Sequence, residues 1–373
     1  MKTIKIRGTG LIYRNPKPHV RSVHAYFPSV IIMKNGEMLA SFVLGEAFEA
    51  VNLSVYIARS KDNGMSWQFE GRLRKVDTSL PVSETARITA LPEGEIVALI
   101  EQFDRTGRTD EGLTNPETLG FVPTKFLLCR SRDYGRTWGK SEYVKPPITG
   151  PEFEMCSPIV VLKDGRWILP TSTWRRWDGF CPDGMKAVAL FSSDNGRSWN
   201  EWSAVMDSSA DKIMYWESKI LEMQDGRLMA VAWAYDQSRN VDLPNQFAVS
   251  TDGGKNWSAP ESTELFGQTL TPLLMPDGSI LSVYRRIDRP GLWAVLSRLD
   301  GRRWTNSEQT PLWGADSGSL TSHTENMAAN FNVLKFGAPC LLLQPDGAVF
   351  VAFWCYEECV SVIRWFKLEV PTA

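Results

Sequence analysis

Six times along the chain, a short apolar run is followed by a polar residue and a glycine, and then by a second apolar run. The turns are Asn35-Gly36, Glu93-Gly94, Asp164-Gly165, Asp225-Gly226, Asp277-Gly278 and Asp346-Gly347. Asn-Gly and Asp-Gly fit the type I′ turn of a tight β-hairpin, so each unit predicts a hairpin. A repeat of roughly sixty residues leaves room for four strands per unit, which is typical of a propeller. We therefore predict an all-β fold, a six-bladed β-propeller with four-stranded antiparallel blades, in a single domain spanning residues 1–373.

Both ends of the chain are predicted to close this ring. The last strand would cover residues 362–370, and residues 3–7 would complete the sixth blade. Closing the ring in this way protects the edges of the sheets. Residues 314–330 form a long insertion between blades five and six, which predicts a lid or rim, and His323 within it is interpreted as a neutral rim or core histidine.

A second repeat, with the pattern S-x-D-x-G-x-x-W, runs out of phase with the hairpins. Intact copies begin at Ser60, Ser131, Ser192 and Ser250. A fifth, degenerate copy begins at Ser297, and in it Leu299 stands in the place of the Asp. The Asp can accept backbone hydrogen bonds and close a turn, while the Gly permits a positive φ. The Trp offers a large apolar plate for packing between sheets. The repetition indicates a structural role for this motif.

The composition narrows the possible partners. With a net charge of -2, the chain gives no electrostatic reason to expect a nucleic-acid or membrane partner. The six cysteines lack metal-type spacing and are expected to be free thiols, with Cys355 and Cys359 able to pair only in an exported protein. The three histidines form no ligand pair, so we predict no catalytic metal and no cofactor, while a structural Ca²⁺ held by loop carboxylates stays open. Residues 1–7 lack the apolar core of a signal peptide, which favours a cytoplasmic location; a secreted or periplasmic location is the alternative for a trimmed chain.

The repeated S-x-D-x-G-x-x-W pattern resembles the Asp-box of the sialidase superfamily, and the resemblance extends over nearly the whole chain. It implies a carbohydrate substrate. It also implies that the functional mouth lies where the inner strand of each blade begins, on the face opposite the hairpin turns. The oligomeric state is left open.

The mouth positions implied by this resemblance gather carboxylates, arginines and aromatic rings, as a glycosidase site requires. The candidate catalytic residues are Glu217, Glu49, Glu154 and Glu84, with Glu46 as an alternative to Glu49. The candidate substrate-binding residues are Tyr26, His24, Arg87, Arg105, Arg175, Trp216, Asp236, Gln268, Arg285 and Arg289. For Tyr26 and Trp216 the alternative is core packing, and for Arg87 it is an ion pair with Glu84 or Glu217.

Compared with sialidases, the chain keeps some functional positions and changes others. The family's helper Glu matches Glu217, its acid/base Asp falls near Glu46 and Glu49, and its third Arg matches Arg289. The first Arg is replaced by Tyr26, the second falls at Trp233, and the nucleophilic Tyr falls at Phe336-Gly337. The chain is thus interpreted as a divergent member of the superfamily that lacks most of the arginine triad and the catalytic Tyr.

These positions support three functional hypotheses. The first is an exo-acting glycoside hydrolase that removes a terminal sugar by two-carboxylate catalysis, with an acidic sugar favoured by Arg105, Arg108, Arg175, Arg285 and Arg289. The second is a catalytically inert propeller that binds a carbohydrate or a protein. The third is a polysaccharide lyase, with His24 or Tyr26 as the base.

Overall fold

The structure is a computed structural model that describes residues 3–75, 80–316 and 333–371. The first strands are β1 Lys5–Tyr13, β2 His24–Ile32, β3 Met38–Gly45, β4 Ser54–Ser60, β5 Gln68–Arg72, β6 Val82–Ala90, β7 Ile96–Asp104, β8 Thr124–Ser131 and β9 Glu142–Val144. The next are β10 Glu152–Glu154, β11 Val160–Val161, β12 Trp167–Trp174, β13 Ala187–Ser192, β14 Glu201–Met206, β15 Ile213–Glu222, β16 Leu228–Asp236, β17 Val241–Asp242, β18 Gln246–Ser250 and β19 Glu261–Ser262. The last are β20 Gly267–Leu274, β21 Ile280–Arg286, β22 Leu292–Asp300, β23 Arg303–Trp313, β24 Phe336–Leu343, β25 Val349–Glu357 and β26 Val360–Glu369.

These strands form six antiparallel sheets, which confirms the predicted six-bladed β-propeller. Their orders are β2-β3-β4-β5, β6-β7-β8-β9, β10-β12-β13-β14, β15-β16-β18-β19, β20-β21-β22-β23 and β24-β25-β26-β1. In blade three the short β11 also pairs with β12, and in blade four β17 pairs with β16. The short 3₁₀ turn Ser209–Asp211 is the helical element of the described residues, none of which forms a helix able to span a bilayer.

Both ends of the chain contribute to blade six. The outer strand β1 pairs with β26, with Lys5 opposite Glu369 and Thr9 opposite Phe366. Residues 314–330, predicted to be a lid or rim, lie almost entirely outside the described residues, as does His323.

The second strand of each blade explains the apolar runs of the sequence. Every residue of β3, β12, β16 and β21 is buried, because each of these strands lies inside its sheet and is covered by neighbouring blades on both faces. The outer strand β23, in contrast, alternates between exposed and half-buried residues over most of its length. The apolar runs therefore mark the strands enclosed between blades.

The hairpin turns lie where they were predicted, but the prediction that they have type I′ geometry was wrong. A type I′ turn needs a positive φ at both central residues, whereas in the first turn the positive φ of 83° belongs to Gly36 and Asn35 is not among the residues with positive φ. The N–H of Gly36 donates to Met33 O at 2.8 Å, and the N–H of Met33 donates to Glu37 O at 2.8 Å. This pattern is a type I turn followed by a left-handed glycine, a three-residue loop with a bulge. The other five turns share the same two hydrogen bonds.

The Asp-boxes connect the third and outer strands and close as the sequence suggested. In the second copy, Ser131 Oγ donates to Asp133 Oδ1 at 2.8 Å, and Thr137 N–H donates to the same oxygen at 2.9 Å. The box glycine lies against the preceding blade, since a Cβ on Gly135 would come within 2.6 Å of the Leu39 side chain. The boxes thus fix contacts between neighbouring blades.

We expect Asp133→Ala to lower the melting temperature by a few degrees and to leave the specific activity of the folded fraction nearly unchanged. The substitution removes bonds from Ser131 and Thr137, a loss on the order of 1–2 kcal/mol. Differential scanning calorimetry measures this effect, with Asp300→Ala as the control because Asp300 is an exposed residue of the degenerate fifth copy. A stable Asp133→Ala protein without activity would show that the box is not purely structural.

Candidate active site

The inner strands surround a central cavity of about 710 Å³. Its walls include the rings of Phe27, Phe48, Phe103, Phe121, Trp174 and Trp354. Its carboxylates include Glu49, Glu84, Glu101, Glu154 and Glu217, and its cations include Arg87, Lys219 and Arg285. All four predicted catalytic glutamates therefore meet at one cavity, as do Arg87, Gln268 and Arg285 from the predicted substrate-binding set.

Bulges at equivalent points of four inner strands bring backbone N–H groups to the cavity. The register of β2, β15, β20 and β24 shifts at these points. The bulged residues have left-handed φ values, namely Phe27 54°, Glu217 53°, Thr269 56° and Ala338 47°. This conformation is uncommon for residues other than glycine and is found most often where function or surrounding contacts impose it.

Backbone N–H groups, two of them at these bulges, link the glutamates of successive blades. Met155 N–H donates to Glu101 Oε2 at 3.3 Å, and Glu217 N–H donates to Glu154 Oε2 at 2.9 Å. Thr269 N–H donates to Glu217 Oε2. Each of these carboxylates is therefore held through one oxygen by the backbone of the next blade, which fixes its direction at the cavity wall.

Burial and mutual repulsion control the charge of this row. Burial and the charge of Glu217 raise the pKa of Glu154. Burial, followed by the charge of Glu154, raises the pKa of Glu101 well above its ordinary value. Glu101 and Glu154 therefore hold their protons more tightly than ordinary carboxyl groups.

Glu49 lies on the loop after β3 and is a separate acid of the cavity. Burial raises its pKa to about 7, although a backbone hydrogen bond from Leu113 and the charge of Arg105 oppose this shift. Arg105 is fully buried and donates to Glu49 O at 2.8 Å and to Glu111 O. Arg105 therefore stabilises the loop that carries Glu49 rather than binding a ligand.

Two other cavity residues are committed to protein contacts. Glu84 is 1% exposed, pairs with Arg74 and accepts a bond from Gln102 Nε2 at 2.8 Å. Arg87 donates to Phe27 O at 3.1 Å, and no ion pair between Arg87 and Glu84 or Glu217 occurs among the described residues. The predicted catalytic role of Glu84 is thus less compatible with its surroundings than those of Glu49 and Glu217.

Arg285, rather than Arg289, is the arginine of blade five that reaches the cavity. Its guanidinium is buried and donates to Phe336 O at 2.8 Å and to Gln268 Oε1. A Cβ at Gly337 would lie 2.6 Å from Arg285 Nη1. The resemblance placed the family's Tyr at this point, and here the guanidinium fills that space.

Several predicted substrate-binding residues lie away from the cavity because they serve the fold. Trp216 is fully buried and stacks on Trp174 with ring centroids 4.9 Å apart, so core packing was the correct alternative. Tyr26 is fully buried, forms a 2.8 Å hydrogen bond with Tyr356, and is likewise a core residue. His24 Nδ1 accepts the N–H of Ser361 at 3.1 Å. With His24 and Tyr26 engaged outside the cavity, neither proposed lyase base reaches the site.

The remaining predicted positions are outside the cavity lining for similar reasons. Asp236 caps its own turn through Ser238 and Arg239. Arg175 donates to Thr118 O at 3.2 Å, and the exposed Arg289 lies over the ring of Trp293 at 5.9 Å. Arg108 lies over Trp177 at 4.7 Å. Most of the arginines predicted at the mouth therefore contact other parts of the protein. This weakens the prediction of an acidic substrate.

Sequence reasoning missed Glu101, which lies inside the cavity on β7. The sequence feature that could have identified Glu101 is its position directly after the apolar run Ile96–Ile100 of that strand. A carboxylate is rarely buried in such a run unless it is paired or functional. Glu101 lies within β7, whereas the resemblance implies functional residues at the strand starts and in the loops.

The six sheets and the central cavity define a six-bladed β-propeller with a candidate site on its axis. Residues 114–309 match the BNR repeat-like domain, so the chain belongs to this family. No curated protein sequence matches the chain significantly.

Three solved structures illustrate the likeness. A protein of unknown function from Dyadobacter fermentans has a TM-score of 0.77 at 21% identity, covering 100% of both chains. The NanB sialidase from Streptococcus pneumoniae has a TM-score of 0.65 at 14% identity, covering 97% of this chain and 70% of that one. An α-L-arabinofuranosidase from Fusarium graminearum has a TM-score of 0.64 at 12% identity, covering 92% of both chains. At these identities the likeness supports the shared fold.

Proposed function

We propose that the protein is an exo-acting glycoside hydrolase that binds a terminal sugar in the central cavity. The observation that carries this proposal is the meeting of Glu49 and Glu217 in one ring-lined cavity, each in a different environment. The cavity volume, about 710 Å³, lies within the range of roughly 300–1,000 Å³ of small-molecule sites. Aromatic walls with a few convergent polar groups suit the apolar faces and hydroxyls of a sugar.

The two carboxyl groups divide the chemistry. Glu49, whose pKa is raised to about 7, holds a proton for the leaving oxygen. Glu217 is the second carboxyl group of the pair: its Oε2 accepts the N–H of Thr269, and it interacts electrostatically with Arg285. In this role Glu217 attacks the anomeric carbon or activates the attacking water. Glu154 accepts the N–H of Glu217 and thereby positions it.

The preference for an acidic or a neutral sugar depends on two side chains in this proposal. Arg87 and Arg285 are the arginines of the cavity lining, and both already donate to backbone carbonyls. Arg285 is thus the stronger candidate for meeting a sugar carboxylate, since it also lies beside Gln268. The rates of hydrolysis of glucosides and of glucuronides with the same linkage measure this preference directly.

Hydrolysis of a panel of aryl glycosides, uronides and sialosides tests the proposal. We expect turnover on at least one class, and proton NMR of the first anomer released distinguishes retention from inversion. Turnover that is unaffected by both Glu49→Gln and Glu217→Gln would contradict the assigned roles.

A second candidate function is carbohydrate binding without catalysis. It is favoured by the row of hydrogen bonds to Glu101, Glu154 and Glu217, which would serve the fold even in an inert protein. Calorimetric binding of a sugar that the protein never hydrolyses would support this candidate over the first.

A further inference from the structure

The mixed cluster of two carboxylates and one thiol at the cavity wall is not explained by glycoside hydrolysis. One carboxylate oxygen each of Glu154 and Glu217 and the Sγ of Cys156 all lie within 4.8 Å of one another. The thiol of Cys156 contacts Glu154 Oε1 at 3.1 Å. A sugar hydrolase needs carboxylates at this place, but it does not need a thiol between them.

We propose that Glu154, Cys156 and Glu217 bind a thiophilic divalent cation such as Zn²⁺, and that this ion competes with the sugar for the cavity. Thiolate and carboxylate together form a ligand set that Zn²⁺ accepts. Three protein ligands leave a fourth position open for water on the cavity side. The competition with sugar rests on the proposed function, whereas the binding itself does not.

The spacing of the three atoms is close to that of a zinc site. Zn–O distances of about 2.0–2.2 Å and a Zn–S distance of about 2.3 Å put neighbouring ligands of a tetrahedron roughly 3.3–3.7 Å apart. The three atoms lie within 4.8 Å of one another, so small shifts of the side chains would bring them to this spacing. Coordination replaces the S–H bond by a metal–sulfur bond, and the proton leaves to solvent.

A further carboxylate points to a charged ligand beside the cluster. Glu101 is 2% exposed, and its Oε1 is buried without a hydrogen-bond partner. Its other oxygen accepts the N–H of Met155, the residue between two of the ligands, so this carboxylate adjoins the cluster. An unsatisfied buried oxygen costs free energy, and a cation or its bound water would satisfy it.

The nearby cations do not occupy the site. Lys219 Nζ donates to the backbone oxygen of Glu217 at 3.1 Å, and Arg87 Nη1 donates to Phe27 O at 3.1 Å. Neither forms an ion pair with the three ligands among the described residues. Their charges weaken cation binding without filling the position of the ion.

Titration of the reduced, metal-free full chain tests the inference. We expect Zn²⁺ to bind by isothermal calorimetry and Cd²⁺ to produce the ultraviolet charge-transfer band of a metal–thiolate bond. Cys156→Ser should remove this band and weaken Zn²⁺ binding. Because a direct ligand is lost, the loss of affinity should exceed the factor of about 10–100 that is typical when only a hydrogen-bond partner of a ligand is removed. Cys156→Ala serves as a second variant if the serine protein fails to fold, and Glu217→Gln should also weaken binding.

Matched controls separate this site from other thiols. Cys340→Ser removes another thiol of the same cavity, and Cys359→Ser removes the exposed one; both should retain the binding lost in Cys156→Ser. Unchanged Zn²⁺ binding in Cys156→Ser, or a Cd²⁺ band that depends on Cys359, would overturn the proposal. If a glycoside is hydrolysed, Zn²⁺ should inhibit the wild-type protein. Zn²⁺ should have little effect on Cys156→Ser, so that its ratio of turnover with and without Zn²⁺ approaches one. If none is hydrolysed, the binding measurements still decide the metal site.

Discussion

Replacing Glu217 by Gln should reduce turnover on the best glycoside by at least about a hundredfold, the scale of lost acid–base or nucleophilic assistance. The amide keeps the shape of the side chain and an oxygen that can accept the Thr269 N–H, but it loses the charge that faces Arg285. We expect the melting temperature to be unchanged or higher, because charged functional sites often reduce stability. Steady-state kinetics and calorimetry on one preparation measure both effects.

Glu222→Gln is the matched control for this experiment. Glu222 lines the cavity from the hairpin end of the same strand, away from the linked carboxylates, and accepts the N–H of Lys163 at 2.8 Å, so its replacement should leave turnover nearly intact. If Glu217→Gln unfolds, Glu217 anchors blades four and five and is not primarily catalytic. If it folds with normal turnover, Glu217 has no catalytic role, and Glu154 and Glu49 become the expected catalytic pair.

Replacing Glu49 by Gln should abolish turnover on glycosides with poor leaving groups but spare those with activated aryl leaving groups. A poor leaving group needs the proton of Glu49, a loss worth about 10²–10⁴ in rate, whereas an activated one departs without it. Because the pKa of Glu49 is raised to about 7, wild-type activity should decline above that pH. This decline should appear in wild-type turnover of substrates with poor leaving groups and should be absent for activated substrates, in wild type and variant alike. The pH dependence of wild-type turnover on the two kinds of substrate therefore measures the role of Glu49.

The same substitution predicts a change in stability with pH. The folded pKa of Glu49 is about 7 against an ordinary value of 4.5, so the folded protein binds this proton more tightly. Its contribution to stability is present below the unfolded pKa and is lost as pH rises through the folded value. The melting temperature of Glu49→Gln should fall less over this window than that of wild type. The exposed Glu46 is on the same loop, and Glu46→Gln should behave as wild type; an identical response of both variants would refute the assignment.

The fold could be predicted because its signals are local and repeated. A glycine with positive φ ends every inner hairpin, and each intact Asp-box closes on itself within a few residues. Turn type was less predictable, since the same Asp-Gly pair fits a two-residue loop and a type I turn with a bulge. Which of the two turn types forms depends on the backbone hydrogen bonds of the residues that flank the turn, such as the bond from Met33 N–H to Glu37 O.

The site could be predicted only in part, because it depends on contacts between distant blades. The glutamates at strand starts were identifiable, but their hydrogen bonds join residues that are 52 to 63 positions apart in the chain. The arginines show the same limit. Nothing local distinguishes Arg285, which turns into the cavity, from Arg289, which lies on Trp293 at the surface.

The pairing of β1 with β26 also has a consequence for synthesis on the ribosome. Among the described strands Lys5–Tyr13 is synthesised before the others, yet its partner Val360–Glu369 is synthesised after them. At about 5–20 residues per second, β1 waits for its partner on the order of tens of seconds. Its sequence suits this delay, because Lys5, Arg7, Gly8 and Gly10 make a polar, glycine-rich strand that is a poor template for wrong pairing. A nascent chain would therefore hold five blades with an unfinished sixth until Val360–Glu369 has left the ribosome and can pair with β1.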